Sequence, residues 1–205
     1  MADVSLPKQK DSGTSPLDQI IRVPGGAKDA GIFLKECRHT GKLILRGDPN
    51  DELFIKETSK VLGYKLPLTP NTFLQKNDRA SVWLGPDEWL LNSIPDDESS
   101  LEKDLNTALT DVDHSVTNVS DSSTIIELSG PHARSVIMKG CAVDIHPRVF
   151  NPGDAFQSNL AAASVIMWQL DLIPTFNIMV RASFASYLWK WLLDAGAEFG
   201  VQIQQ

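Results

Sequence analysis

The chain has 205 residues, 42% apolar and 22% charged, with 26 acids, 19 bases and a net charge of −7. That length supports one large domain or two small ones with a self-sufficient apolar core, and the acidity lacks the basic footprint of a nucleic-acid binder. Cys37 and Cys141 stand far apart with no CxxC or Cys/His ligand spacing, which argues against a disulfide framework and a structural zinc site. No apolar run approaches the ~18 residues of a membrane span. The first residues (MADVSLPKQKDSGTSPLD) lack the apolar stretch of a secretory signal. A reduced, cytoplasmic, soluble protein is expected.

Residues 1–16 are rich in Lys, Asp, Ser, Gly and Pro and read as a tail, flexible or ordered by a partner. Residues 17–205 read as a single domain. Val23-Pro24-Gly25-Gly26 is a loop signal. Residues 42–46 (KLILR) read as a strand, and Asp48-Pro49 as the cap and first position of a helix. That helix carries Leu53, Phe54, Thr58, Val61 and Leu62 on one broad face and stops at Gly63. Two prolines make residues 65–70 a connector. Residues 80–84 and 88–92 read as strands joined through Gly85-Pro86-Asp87. Asp97 caps a helix with Leu101, Leu105, Ala108 and Leu109 at helical spacing.

A second series follows in similar order. Residues 116–119 and 124–128 are strand candidates, and Ser129-Gly130-Pro131 opens a helix that Gly140 closes. Residues 158–168 supply one or two strands and 176–181 another. Ser183 caps the last helix, and 201–203 return as a short strand. The fold class is therefore α+β: a strand–helix–strand–strand–helix–strand unit, duplicated, with mainly antiparallel sheets.

Candidate chemistry is sparse. His39, His114, His132 and His146 have no HExxH or HxH spacing, so packing and surface roles are favoured. Cys141 follows a helix C-terminus, where the helix dipole disfavours a thiolate. The Ser120-Asp121-Ser122-Ser123-Thr124 cluster lacks a GxSxG elbow and reads as turn chemistry. Asp87 and Glu88 read as a solvated turn. No catalytic, cofactor-binding or metal-binding residue is assigned.

The last helix carries more information. A helical wheel puts Phe184, Tyr187, Leu188, Trp191, Leu192, Ala195 and Phe199 in one core-facing stripe. Trp189 and Leu193 fall off its centre, as a second packing layer or a partner interface. They are the candidate partner contacts.

Four segments together carry a resemblance: WLGPDEWL at 83–90, SDSSTIIELSGPHAR at 120–134, KGCAVDIHP at 139–147 and RASFASYLWKWLLDA at 181–195. In this order they are similar to the gamma subunits of heterotetrameric sarcosine oxidases, closely over residues 80–200 and loosely over 1–75. The resemblance implies the aminomethyltransferase (glycine-cleavage T-protein) folate-binding-domain fold. It implies a non-catalytic structural subunit beside alpha, beta and delta partners, in a complex that oxidises sarcosine to glycine. Tetrahydrofolate would accept the one-carbon unit and hydrogen peroxide would be released. FAD, FMN, NAD, tetrahydrofolate and zinc would belong to the partner subunits, and none to this chain. Active members of the superfamily carry a Gly-Glu-Asp-Gly-type motif before the C-terminal strand. Leu172-Ile173-Pro174-Thr175 stands there in this sequence, which speaks against folate binding. Ser122-Ser123, Asn118 and Gln169 also depart from the gamma-subunit pattern. Two alternatives stay open: a free-standing folate-dependent aminomethyltransferase-like protein, and a scaffold of a different complex.

Overall fold

The computed structural model describes residues 13–20 and 25–204. Most of the tail reading, and Val23-Pro24 of the loop reading, lie outside the described residues. Gly25–Gly26 forms β1 and Ile32–Cys37 forms β2. The chain then turns at His39, in the left-handed region at φ 54°, into β3 (Thr40–Gly47). Helix α1 (Glu52–Leu62) leads to a three-strand meander: β4 (Phe73–Lys76), β5 (Arg79–Gly85) and β6 (Glu88–Pro95). Helix α2 (Glu98–Ala108) and β7 (His114–Asn118) complete this half.

The second half runs β8 (Ser123–Ser129), α3 (Ala133–Met138), β9 (Ala155–Leu160), β10 (Ala163–Gln169), β11 (Phe176–Arg181), α4 (Ala182–Gly196) and β12 (Val201–Ile203). One sheet has the order β4-β5-β6-β3-β7 and the other β1-β12-β2-β8-β11-β10-β9. Reversed, the larger sheet reads β9-β10-β11-β8-β2-β12-β1. Its β9, β10, β11, β8 and β12 then match β4, β5, β6, β3 and β7 one for one, with β2 inserted. The duplication in the sequence is thus a duplication of topology. Each half places three strands between its helices: in the first the expected pair is preceded by β4, which is short, exposed past Phe73 and carries no alternation to read, and in the second residues 158–168 fall on two strands, β9 and β10. Every pairing is antiparallel except β12 with β2.

Strand alternation builds four layers, helices outside and the two sheets face to face. In β6, Trp89 and Leu91 pack with Phe54 of α1 and Leu101 and Leu105 of α2, while Leu90 points to the other sheet. In β8, Ile126 and Leu128 pack with Val136 of α3 and Leu188 of α4, while Ile125 faces inward. The inter-sheet layer joins Phe73, Val82 and Leu90 to Ile125, Trp168 and Met179.

Local chemistry revises several boundaries. Asp51, not Asp48, caps α1, its Oδ1 accepting from Leu53 N at 2.8 Å; Asp48 instead accepts from Asn50 N in the turn before it. Asp97 holds the cap position of α2, but its carboxylate is taken by Arg79. Helix α3 starts at Ala133, two residues past Pro131. Helix α4 springs directly from β11, so Ser183 lies inside it rather than at its cap. Strand β2 was absent from the sequence reading. The connector before β4 is pinned by Trp89, whose Nε1 donates to Pro67 O at 2.8 Å.

Candidate functional site

Two clefts open along the seam between the sheets, and both reach Ser123 at the start of β8. The first, about 670 Å³, is bounded by residues 13–16, the β2–β3 turn and the N-terminus of α2. Its floor holds Lys42, 2% exposed, whose Nζ donates to Thr40 O at 2.5 Å and Thr40 Oγ1 at 3.3 Å. Burial pulls the Lys42 ammonium down to about 8, opposed by the carboxylates of Asp121, Glu98 and Glu36. Glu36 is buried as well. Its Oε1 accepts from Ser15 Oγ at 2.5 Å and Thr124 Oγ1 at 2.9 Å, and Arg38 Nε lies 3.4 Å from Oε2. Ser15 Oγ also accepts from Leu17 N, and Leu17 sits in the core. The chain is therefore fastened to the sheet at Ser15, inside the stretch read as tail, and at Leu17.

The second cleft, about 780 Å³, lies where Ser122, Ser158, Asn159, Ser164 and Arg181 surround Ile166 and Met179. Within it Ser164 Oγ donates to Asn159 Oδ1 at 2.9 Å and Gln157 Nε2 donates to Leu84 O at 2.8 Å, while Ser123 Oγ is buried without a hydrogen-bond partner among the described residues.

Several of the residues weighed for chemistry fall into structural roles. Ser120 Oγ accepts from Lys42 N, Ser122 Oγ donates to Val119 O, and Thr124 serves Glu36. His114 Nδ1 donates to Val112 O, His132 stacks on Phe199 at 4.4 Å, and His146 Nδ1 accepts from Arg148 N. Asp87 pairs with Arg46 at 2.6 Å. Burial and Glu127 push the Cys37 thiol up to about 11, away from thiolate chemistry. No group of three His, Cys, Asp or Glu suited to a metal occurs among the described residues.

Helix α4 faces differently from its wheel. Trp189, 0% exposed, lies in the core with Leu188, Leu192 and Ala185. Leu193 is half-buried against the same core. The reading of Trp189 as an off-core residue is corrected here: α4 leaves β11 without a loop, and this junction turns positions 185, 188, 189 and 192 onto the sheet. Phe184 and Tyr187 of the expected stripe stand 43% and 41% exposed instead. Trp191 packs closely against Gly140, where a Cβ would come within 2.6 Å of its ring.

A more exposed apolar feature is the β10–β11 turn, which the sequence singled out only for the acids it lacks. Leu172 and Ile173 are 83% and 74% exposed. The turn is nonetheless fixed: Leu170 N donates to Thr175 O, Thr175 N to Asp171 Oδ1, Thr175 Oγ1 to Ile173 O, and Gln169 Nε2 to Asp171 O. Arg134 Nη2 anchors Gln169 in turn, at 2.8 Å from Oε1. The single acid, Asp171, already has an oxygen engaged inside the turn, and the neighbouring side chains are apolar. This turn does not fit folate recognition by acidic groups.

Known proteins match this architecture over nearly its whole length. The profile of the "Sarcosine oxidase, gamma subunit family" matches residues 46–198. Sarcosine oxidase subunit gamma of Corynebacterium sp. strain P-1 is 30% identical over 201 residues, 97% of each chain. That of Arthrobacter sp. is 36% identical over 201 residues, again 97% of each. A chain of the heterotetrameric sarcosine oxidase from Corynebacterium sp. U-96, solved in complex with pyrrole 2-carboxylate, superposes with a TM-score of 0.81. It is 30% identical, with 91% of this chain and 96% of that chain covered. Aminomethyltransferase T of the glycine cleavage system from Bartonella henselae superposes at 0.68 with 14% identity, over 94% of this chain and 59% of that one. The last likeness is one of fold alone.

Proposed function

This chain belongs to the sarcosine oxidase gamma subunit family, and we propose on that basis that it is the non-catalytic structural subunit of a heterotetrameric sarcosine oxidase. The single observation that carries this reading is the near-complete coverage at 30–36% identity, because it matches a whole subunit rather than a shared module. Its partners are taken to be alpha, beta and delta subunits in the cytoplasm. The assembly would oxidise sarcosine with dioxygen and tetrahydrofolate to glycine, methylenetetrahydrofolate and hydrogen peroxide. FAD, FMN, NAD, folate and zinc are assigned to those partners.

The arrangement of this chain's own groups supports a structural role. The buried carboxylate and ammonium of the seam hold backbone and hydroxyl groups, the histidines serve packing and turns, and the largest exposed apolar groups stand on fixed scaffolding. We read residues 17–205 as one folding unit, since the inter-sheet layer joins both halves. The test is affinity purification of the tagged chain from its native cells, with mass identification and a visible spectrum of the eluate. Three co-purifying subunits and a flavin spectrum are expected. A colourless chain that captures none and binds tetrahydrofolate saturably would replace this reading with the free-standing transferase.

A further inference from the structure

The second seam cleft, about 780 Å³, joins apolar walls to a polar row that crosses four strands. Ile125 and Met179 belong to the inter-sheet layer, so Ser123 and Arg181, each two residues away on β8 and β11, face the same gap. Arg181 and Ser123 stand directly opposite in the β8–β11 register, and Ser164 stands opposite Asn159 across β9 and β10. The β10–β11 register, which pairs Val165 with Val180, continues to set Ser164 beside Arg181. Asn159, Ser164, Arg181 and Ser123 therefore form one row, and the apolar lining includes Ile44, Val119, Ile166 and Met179.

The row is rich in uncommitted donors. The Arg181 guanidinium is exposed and has no hydrogen-bond or ion-pair partner among the described residues. Ser123, 7% exposed, leaves its Oγ buried and unpartnered among them. Asn159 Oδ1 accepts from Ser164 Oγ, and its amide N–H groups remain available. Among the described residues that line the cleft, Arg181 alone carries a charge. Helix α4 begins at Ala182 with neither a side-chain cap nor an acid in its first turn, so its positive end reinforces Arg181. The first seam cleft shares Ser123 but is opposite in character, with Glu36, Glu98 and Asp121 in its walls.

We propose that the second cleft binds a free monocarboxylic acid with an extended apolar body. Its carboxylate pairs with the Arg181 fork and takes further hydrogen bonds from Asn159 and Ser123, while its body lies on Ile166 and Met179. A planar guanidinium matches a carboxylate through two parallel hydrogen bonds. The volume falls within the range of small-molecule sites, about 300–1,000 Å³. An amino acid is the poorer ligand, because its ammonium would meet no acid in this lining. Sarcosine and glycine are disfavoured on the same ground. The site is complete within this chain, so it stands whether or not the subunit reading does.

The test titrates the full chain with sodium octanoate and with octanamide by calorimetry, for wild type, R181Q, R181K and S123A. Octanoate should bind wild type saturably and about tenfold or more tightly than octanamide, and R181Q should lose about tenfold. R181K should recover only part of that loss, since an ammonium lacks the fork. R181Q and S123A should melt like wild type, because neither side chain has a partner in the free chain, and S123A should weaken octanoate about threefold. Equal binding of acid and amide, or of octanoate by wild type and R181Q, would overturn the site. Displacement of octanoate by glycine, sarcosine or tetrahydrofolate would overturn the ligand class. Octanoate that binds the free chain but not the complex it captures would place a partner's carboxylate in the cleft and overturn the free ligand.

Discussion

Arg79 and Asp97 meet through two parallel hydrogen bonds, Nε to Oδ2 at 2.8 Å and Nη2 to Oδ1 at 3.0 Å, and so join the start of β5 to the entry of α2. Arg79 Nη1 also donates to Val61 O in the last turn of α1, at 3.2 Å. One guanidinium thus fixes both helices of the smaller sheet to its meander. The Arg79 hydrogen bond holds the Asp97 carboxyl below its ordinary range. Removing it as D97A should destabilise the chain by about 1–3 kcal/mol at pH 7 in urea unfolding. The sign with pH follows: a depressed carboxyl stabilises the fold fully above its unfolded-state value, and the contribution is lost as pH falls through the folded-state value. The gap between wild type and D97A should therefore narrow below about pH 4. A gap constant down to pH 2.5 would deny this pair its role.

Glu36 gathers three donors from three parts of the chain: Ser15, Thr124 and Arg38. E36A leaves two buried hydroxyls without their acceptor and should cost about 2–4 kcal/mol. It should also make residues 15–20 a site of limited proteolysis. E36Q keeps one acceptor oxygen for both hydroxyls and should cost about 1 kcal/mol. Equal losses for the two variants would show that the charge, not the acceptor geometry, matters.

Lys42 is held at about 8 by burial against an ordinary 10.5. A base with a lowered folded-state value penalises the fold below that value, and the penalty is relieved as pH rises toward the unfolded-state value. K42M removes the buried ammonium along with its two bonds to Thr40, and should stabilise the chain by about 1–3 kcal/mol at pH 7. That advantage should shrink between pH 8 and 10. Cys37, raised to about 11, pushes the opposite way above pH 9, and it interacts with Lys42 directly, so the comparison is read below pH 9. A K42M chain less stable than wild type at pH 7 would mean that the Thr40 bonds outweigh desolvation.

Trp189 fills the core beneath α4, and W189A should cost about 3–5 kcal/mol in chain stability. Its Nε1 has no hydrogen-bond partner among the described residues, so W189F should cost much less. L193A, from a half-buried position, should cost about 1 kcal/mol or less. Any loss of assembly by W189A should therefore follow its loss of folding. A W189A chain that melts like wild type yet fails to assemble would restore Trp189 as a direct contact.

The sequence made the α+β class and its internal repetition legible, because helices at Leu53–Leu62 spacing and Leu101–Leu109 spacing announce themselves through period and punctuation. Strands β2 and β4 escaped. The first alternates Ile32 and Leu34 with Lys35, then places Glu36 on the buried face, where Ser15, Thr124 and Arg38 make an acid tolerable. No local signal reports partners 21 and 88 residues away. The facing of α4 failed for a similar reason: the stripe is so broadly apolar that its orientation is set by the direct β11–α4 junction, not by pattern. At the β10–β11 turn the sequence displays missing acids, whereas the exposure of Leu172 and Ile173 is set by the hydrogen bonds that hold the turn out from the sheet.

The most direct measurement of the whole account is the mass-resolved composition and visible spectrum of the complex captured with this chain. An oxidase of four different subunits with bound flavin is the expected result. A lone, colourless chain would contradict the subunit role.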